Sequence, residues 1–483
     1  MIGWKASWSL NNVMLGIRTT LHHLARELVI ELNKDDVYSG EALQMLSRSP
    51  YDGCAFPLVR KITFTIGLGD NIQTKQAVVA TNISAFVQRI KQMAPMAKTF
   101  MLSPLVCGHI KNCTGQYFDD LATQLFRLVG HIEYGFINKF SDIRELQLDE
   151  VHNLVSIEHI TYHSIDTFIG LARLNAATLE YLHITPSKTN GAIGIIQDAN
   201  GAYVIYPCLT TLFLGASSAD FNVSPPVFED IVPFPSLRHL EIPPKYPFCD
   251  DVLFRGNAAT LKCLELTLSR STAAMLREYS VFTLQSHPSL RCVYVGFDNH
   301  SVPGAFATKA EALKFVLGIG ARASERYISI PVTGAELIGV TPSLTNHAVI
   351  QVLSLYLTTL DLWQAITLIK SLPLLVELST MTPDIGTLPN GIALDDLPAY
   401  VVSTFAPIGT RLEHWPLISS VGEEEDSLKR VLLLALVCPN FWHVSSYVDG
   451  YDEPSEMLEV ALASDIFKPY APRLQHIRFH RHP

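Results

Sequence analysis

The sequence predicts an α/β solenoid, with a parallel sheet on an inner, concave face and helices on the outer, convex face. Three observations predict it. A short apolar phrase, leucine-x-x-leucine-x-leucine, keeps returning, a proline often stands shortly ahead of it, and segments of helical periodicity fill the intervals. One copy of the phrase cannot bury its own apolar edge, so its recurrence implies neighbours stacked on a shared core.

The phrase occurs as Ile143-Leu146-Leu148, Leu179-Leu182-Ile184, Leu209-Leu212-Leu214, Leu237-Leu240-Ile242, Leu261-Leu264-Leu266, Leu290-Val293-Val295, Leu412-Trp415-Leu417 and Leu474-Ile477-Phe479, with a weaker copy at Val59-Ile62-Phe64. Within each copy the apolar positions alternate, as a short strand with one buried face requires. Pro57, Pro207, Pro235, Pro288, Pro373, Pro439 and Pro472 precede strand positions. Proline disfavours helix in the residue before it, so each one separates a finished helix from the next strand.

Between the phrases, Ile83, Phe86, Val87 and Ile90 share one face of a helix over 82–93, and Leu121, Leu125, Phe126, Leu128 and Val129 do so over 118–129. Phe168, Leu171 and Leu174 mark a helix over 165–175, and Leu362, Ala365, Ile366 and Ile369 one over 359–370. A further helix is expected over 427–438, capped by Ser427, with Glu423 to Asp426 at the positive end of its dipole.

From Leu179 the phrases begin at 209, 237, 261 and 290, in steps of 30, 28, 24 and 29 residues. A leucine-rich repeat runs about 20–29 residues, so these steps fit its long, helix-bearing form. Ile328-Ile330 and Leu375-Leu378 are the expected degraded strands within 297–410, where the pattern is weakest. The position three beyond the last leucine, where asparagine or cysteine usually ties adjacent turns, holds Val151, Ser187, Ser217, Lys245, Ser269 and Asp298. The ladder is missing, and stacking is expected to be less regular. Residues 1–55 are expected to form an N-terminal cap and linker, and 56–483 one irregular repeat domain with its last turns from 455 as the C-terminal cap.

A net charge of -10 and a pI of about 5.9 argue against nucleic acid or an anionic membrane as partner. The eight cysteines lack paired spacing and form no disulfide framework. Cys208, Cys263, Cys292 and Cys438 fall in or beside the apolar phrases, where a free thiol acts as a small core residue. The start of the chain lacks a basic region followed by an apolar run, and Val431 to Val437 is too short to cross a bilayer. A cytoplasmic or nuclear location is expected.

Phrases such as 234–242 (Phe-Pro-Ser-Leu-Arg-His-Leu-Glu-Ile) and 259–266 (Ala-Thr-Leu-Lys-Cys-Leu-Glu-Leu) carry a family likeness. On them the chain resembles fungal F-box and leucine-rich-repeat proteins. The stretches 25–32, 37–43 and 51–60 are similar to the segment that links box to repeats. The resemblance implies substrate selection for an SCF-type ubiquitin ligase, with a Skp-type adaptor and a cullin as partners where an F-box is present. The box itself is not visible, because residues 1–30 hold no Leu-Pro-x-Glu opening.

Gly318-Ile319-Gly320-Ala321-Arg322-Ala323 superficially suggests a dinucleotide loop, but 309–313 reads as helix and 327–330 as strand, the reverse of what that loop needs. It is expected to be a helix C-cap and turn. Cys107, His109 and Cys113 lack the second ligand pair of a zinc site. His159 and His163 lie in an alternating stretch where a strand, rising about 3.3 Å per residue, would hold them apart. The terminal His476, His480 and His482 read as solvated. Neither a Gly-x-Ser-x-Gly elbow, a phosphate loop nor a His-Glu-x-x-His is present. No cofactor and no metal are expected.

Residues between the apolar positions point to the opposite face of each strand. Glu145, Gln147, Tyr181, His183, Thr211, Phe213, His239, Glu241, Glu265 and Tyr294 are therefore the expected protein-binding residues, each weighed equally against a merely solvated strand position. The expectation is a non-catalytic recognition scaffold, in its sharpest form the substrate-binding part of an SCF-type ubiquitin-ligase adaptor. A repeat scaffold unrelated to ubiquitin is the alternative, and an enzyme with a cryptic site ranks third.

Overall fold

The apolar phrases become short parallel strands, each buried on one face. The structure is a computed structural model. It describes residues 5–9, 27–33, 59–67, 92–97, 99–105, 131–133, 152–159, 165–184, 195–196, 200, 202–214, 232–242, 259–268, 287–297, 306–319, 322–344, 349–381, 388, 391–408, 411–418, 424–446, 462–474 and 477–481. The chain divides into two compact units, Met1–Asn257 and Ala258–Pro483. Both are α/β, with open sheets whose described strands run parallel.

In the first unit, β1 (Lys5–Ser9), β2 (Glu27–Asn33), β3 (Lys61–Gly67) and β4 (Thr99–Leu105) pair in chain order. The stretch expected as a cap thus contributes two strands in register with β3. A further run follows, of β5 (His131–Glu133), β6 (Ser156–His159), β7 (Tyr181–Ile184), β8 (Thr211–Leu214) and β9 (His239–Ile242). Helix α1 (Ile165–Leu174) connects β6 to β7, within the expected 165–175. The phrase at 143–148 and most of the helices expected over 82–93 and 118–129 lie outside the described residues.

The second unit pairs β10 (Cys263–Leu268), β11 (Cys292–Phe297), β12 (Glu325–Ser329), β13 (Val352–Thr359), β14 (Glu377–Met381), β15 (His414–Ile418), β16 (His443–Ser446) and β17 (Arg478–Arg481), again in chain order. The described crossovers are α2 (Lys309–Gly318), α3 (Gly334–Leu344), α4 (Leu362–Ser371), α5 (Leu397–Phe405), α6 (Glu424–Val437) and the single turn α7 (Ala471–Leu474). Both strands expected in 297–410 are present, as β12 and β14. Helix α6 begins at Glu424, so Ser427 lies inside it and does not cap it. Glu424, Glu425 and Asp426 instead form its first turn, the end of the dipole that favours acidic residues.

Strand entry is set by a repeated turn. In Tyr206-Pro207-Cys208-Leu209, Phe234-Pro235-Ser236-Leu237, His287-Pro288-Ser289-Leu290, Leu372-Pro373-Leu374-Leu375 and Cys438-Pro439-Asn440-Phe441 the fourth N–H donates to the first carbonyl, over 3.3, 3.2, 3.3, 3.0 and 3.1 Å. Proline presets the second position of such a turn, and the fourth residue begins the buried series. Pro472 differs, for it sits inside α7, where a first-turn proline costs no hydrogen bond.

The turns are stacked by backbone carbonyls. Val155 C=O accepts from the N–H groups of both Glu180 and Tyr181, at 2.8 and 3.1 Å. Glu180 C=O then accepts from Thr210 and Thr211, and Thr210 C=O from Arg238 and His239. The second unit repeats the device: Lys262 C=O serves Arg291 and Cys292, Ser324 C=O serves Gln351 and Val352, Gln351 C=O serves Val376 and Glu377, and Val376 C=O serves Glu413 and His414. Hydroxyls add rungs, with Thr178 donating to Leu154 C=O at 2.8 Å, Ser236 to Pro207 at 2.6 Å and Ser289 to Ala259 at 2.7 Å. These bonds join each described strand entry to the one before it.

One asparagine does bridge turns. Asn175, only 2% exposed at the end of α1, accepts from Leu154 N–H at 2.9 Å and donates to Leu171 C=O at 2.9 Å. In the second unit the buried Arg326 points inward from β12 and donates through Nη1 to Leu317 C=O at 2.6 Å and Ile319 C=O at 3.3 Å. It closes the C-terminus of α2, where Ile319 N–H also bonds back to Phe315 and Val316. Gly318-Ile319 therefore ends a helix, as expected. Burial lowers the Arg326 pKa to about 10.

Asn175→Ala strips the partner from a buried amide, so a loss of about 1–3 kcal/mol is expected in chemical denaturation of the full chain. Asn175→Asp, which keeps the acceptor for Leu154 but not the donor for Leu171, should recover part of it.

Candidate recognition surface

Strands β7, β8 and β9 alternate strictly between half-buried and buried residues. Leu182, Ile184, Leu212, Leu214, Leu240 and Ile242 fill the core. Tyr181, His183, Thr211, Phe213, His239 and Glu241 stand on the other face, as the sequence predicts. Parallel register sets them in two rows across the strands, Tyr181–Thr211–His239 and His183–Phe213–Glu241.

Phe213 is the centre of this patch. Its ring meets Tyr181 at 5.5 Å, His183 at 5.5 Å and His239 at 4.8 Å between centroids, with interplanar angles of 68°, 66° and 78°. Edge-to-face contacts of this kind hold each ring in one orientation. The cluster is closely packed yet half-exposed. His239 Nε2 is buried and has no hydrogen-bond partner among the described residues. Burial lowers the His239 pKa below the usual imidazole value.

The second unit carries the other expected residues. Glu265 on β10 is in register with Tyr294 on β11, and Tyr294 with Tyr327 on β12. The two tyrosine rings stack at 4.2 Å with an interplanar angle of 8°. Burial raises the pKa of Glu265 and of both tyrosines, Tyr327 to about 12. The neighbouring row on this face is Cys263, Cys292 and Glu325. Farther along, Glu377 Oε2 lies 3.1 Å from His414 Nδ1 across β14 and β15. At Ser354 and Ser379 the same face is buried.

Glu145 and Gln147 lie outside the described residues. Sequence reasoning missed Tyr327, Glu325 and Glu377, because their strands lack the full leucine phrase, and His414, whose strand carries it as Leu412-Trp415-Leu417 but whose partner Glu377 stands on one that does not. It also read Cys263 and Cys292 as core residues. Both are half-exposed, since each stands one residue before a buried Leu264 or Val293 and so points the other way. Cys208 is exposed in a turn, and Cys438 alone of these four is buried.

Among the described residues, no group of three or more histidine, cysteine, aspartate or glutamate side chains could hold a metal ion, and no helix is long and apolar enough to cross a membrane. No protein-family model matches the chain, and no curated protein matches it.

A histidine that ionises less readily when folded lets the unfolded chain bind the extra proton. Its effect is absent above the ordinary value of about 6.5 and destabilises the fold as pH drops below it. The urea midpoint should therefore fall between about pH 7.5 and pH 5.5, and His239→Gln should remove part of that fall. An unchanged pH dependence in the variant would contradict the burial of this imidazole.

Proposed function

We propose that both units are runs of leucine-rich repeats and that their half-exposed strand faces bind another protein without catalysing a reaction. The observation that carries this reading is the Tyr181–Phe213–His183–His239 cluster. Aromatic rings already fixed by one another lose little rotamer entropy on binding and present large contact area, the character of interface hot spots. The parallel strands, the in-register turns and the alternating burial support the repeat reading.

In its sharper form the partner is a substrate delivered to an SCF-type ubiquitin ligase, with a Skp-type adaptor and a cullin in the same complex. Resemblance of the strand phrases supports that form. The alternative is a scaffold without ligase connection, which the same strand faces would serve equally well.

Affinity purification of the full chain separates these readings. Proteins captured by the wild type should be depleted about tenfold or more in the Tyr181→Ala, Phe213→Ala double variant, matching the loss of about 2 kcal/mol typical of a hot spot. The variant's urea midpoint provides the folding control. Co-purification of a Skp-type adaptor and a cullin supports the ligase form, and their absence from an otherwise productive capture favours the scaffold. Equal capture by the variant would refute the aromatic patch as the binding surface.

A further inference from the structure

We infer that Cys263 and Cys292 form a dithiol that hydrogen peroxide closes into a reversible disulfide between β10 and β11. The two residues are direct register partners on neighbouring parallel strands. Both project from the half-exposed face, and both are free thiols. Adjacent strands lie about 4.8 Å apart, which falls inside the Cα separation of about 4.4–6.8 Å that a disulfide spans. The Cα spacing therefore permits the bridge.

The surroundings assign different roles to the two sulfurs. The Cys263 thiol is hydrogen-bonded to Cys292, and the Tyr294 hydroxyl is a second partner of Cys292. Two donors facing one sulfur favour its thiolate, so the Cys292 pKa is lowered, chiefly by the bond from Cys263, against the opposing effects of burial and of the Glu325 carboxylate, which sets a negative charge beside the sulfur and accepts a hydrogen bond from it. Cys263 holds the shared proton, and its pKa is raised by that bond and then by burial. Glu265, Glu325 and Tyr327 complete the titratable groups around the pair on these three strands.

The chemistry balances with peroxide as the oxidant. The Cys292 thiolate attacks one peroxide oxygen, the O–O bond breaks, and the departing hydroxide takes a proton to become water. Cys292 is then a sulfenic acid. Cys263 gives up its proton and attacks that sulfur, the S–O bond breaks, and a second water leaves. Two thiols have lost two electrons and two protons, and peroxide has become two waters. A reducing dithiol reverses the step by exchange. Cys438 offers no such route, because full burial raises its pKa to about 12. The inference is independent of any protein partner.

The test uses the full chain treated with a stoichiometric amount of hydrogen peroxide, blocked with iodoacetamide, digested without reductant and analysed by mass spectrometry. The expected result is a linked peptide pair joining Cys263 to Cys292, lighter by two hydrogens than the separate peptides and released by dithiothreitol. Recovery of both thiols as alkylated cysteine, their separate conversion to sulfinic or sulfonic acids, or linkage of either to another cysteine would overturn the proposal. The roles are tested by alkylation rates at neutral pH. Cys292 should react faster than Cys263, and Cys263→Ala should slow Cys292 several-fold. Faster labelling of Cys263, or a Cys292 rate unchanged in the variant, would overturn the assignment of the attacking sulfur.

Discussion

In both units the described strands from β7 to β9 and most of those from β11 to β15 depend on one backbone arrangement, a carbonyl at strand entry that accepts two successive N–H groups from the following turn. The chain Val155, Glu180, Thr210 in the first unit and Ser324, Gln351, Val376 in the second passes this contact from strand to strand. It fixes the register of each strand before its side chains begin. Register in turn decides which residues face the core, since a slip of one position would exchange the two faces. Leu182 and Leu212 are neighbours in the core for the same reason that His183 and Phe213 meet outside it.

The apolar repeat and the backbone repeat are therefore two views of one constraint. Leucine at the fourth position of the proline turn is buried, and the turn delivers the next two N–H groups to the previous carbonyl. Hydroxyls from Thr178, Ser236 and Ser289 reinforce the joint by donating to carbonyls of the preceding turn. The α-helices contribute a separate layer of order. Thr308–Glu311, Thr333–Glu336 and Asp361–Gln364 cap α2, α3 and α4 by side-chain bonds to backbone amides. Gly334 suits the start of α3, where a Cβ would lie 2.9 Å from the Thr359 backbone carbonyl as well as against the Gln364 side chain.

Most strands with a full leucine phrase were legible because period-two burial leaves a direct trace in composition. Helix α4 was legible from its apolar face. Strand β13 carries the spacing as Ile350, Leu353 and Leu355 and was legible in principle, whereas β16 was not, since Phe441-x-x-Val444-x-Ser446 lacks the last apolar position and the strand is held by neighbours on both sides. Helix α3 was obscured by Pro342, although its Thr333-x-x-Glu336 box was present in the sequence. The outward face was legible as a set of positions, but the contacts among them depend on register. Nothing in the phrases themselves says that Phe213 touches three rings, or that two cysteines 29 positions apart become partners.

The doubly used carbonyl has a consequence for how such a protein changes over generations. Amide and carbonyl groups are supplied by every residue except that proline lacks the amide, so the joint between neighbouring strands tolerates replacement of almost any side chain beside it. Substitution can erase the lettering of the motif while the strand-to-strand spacing persists.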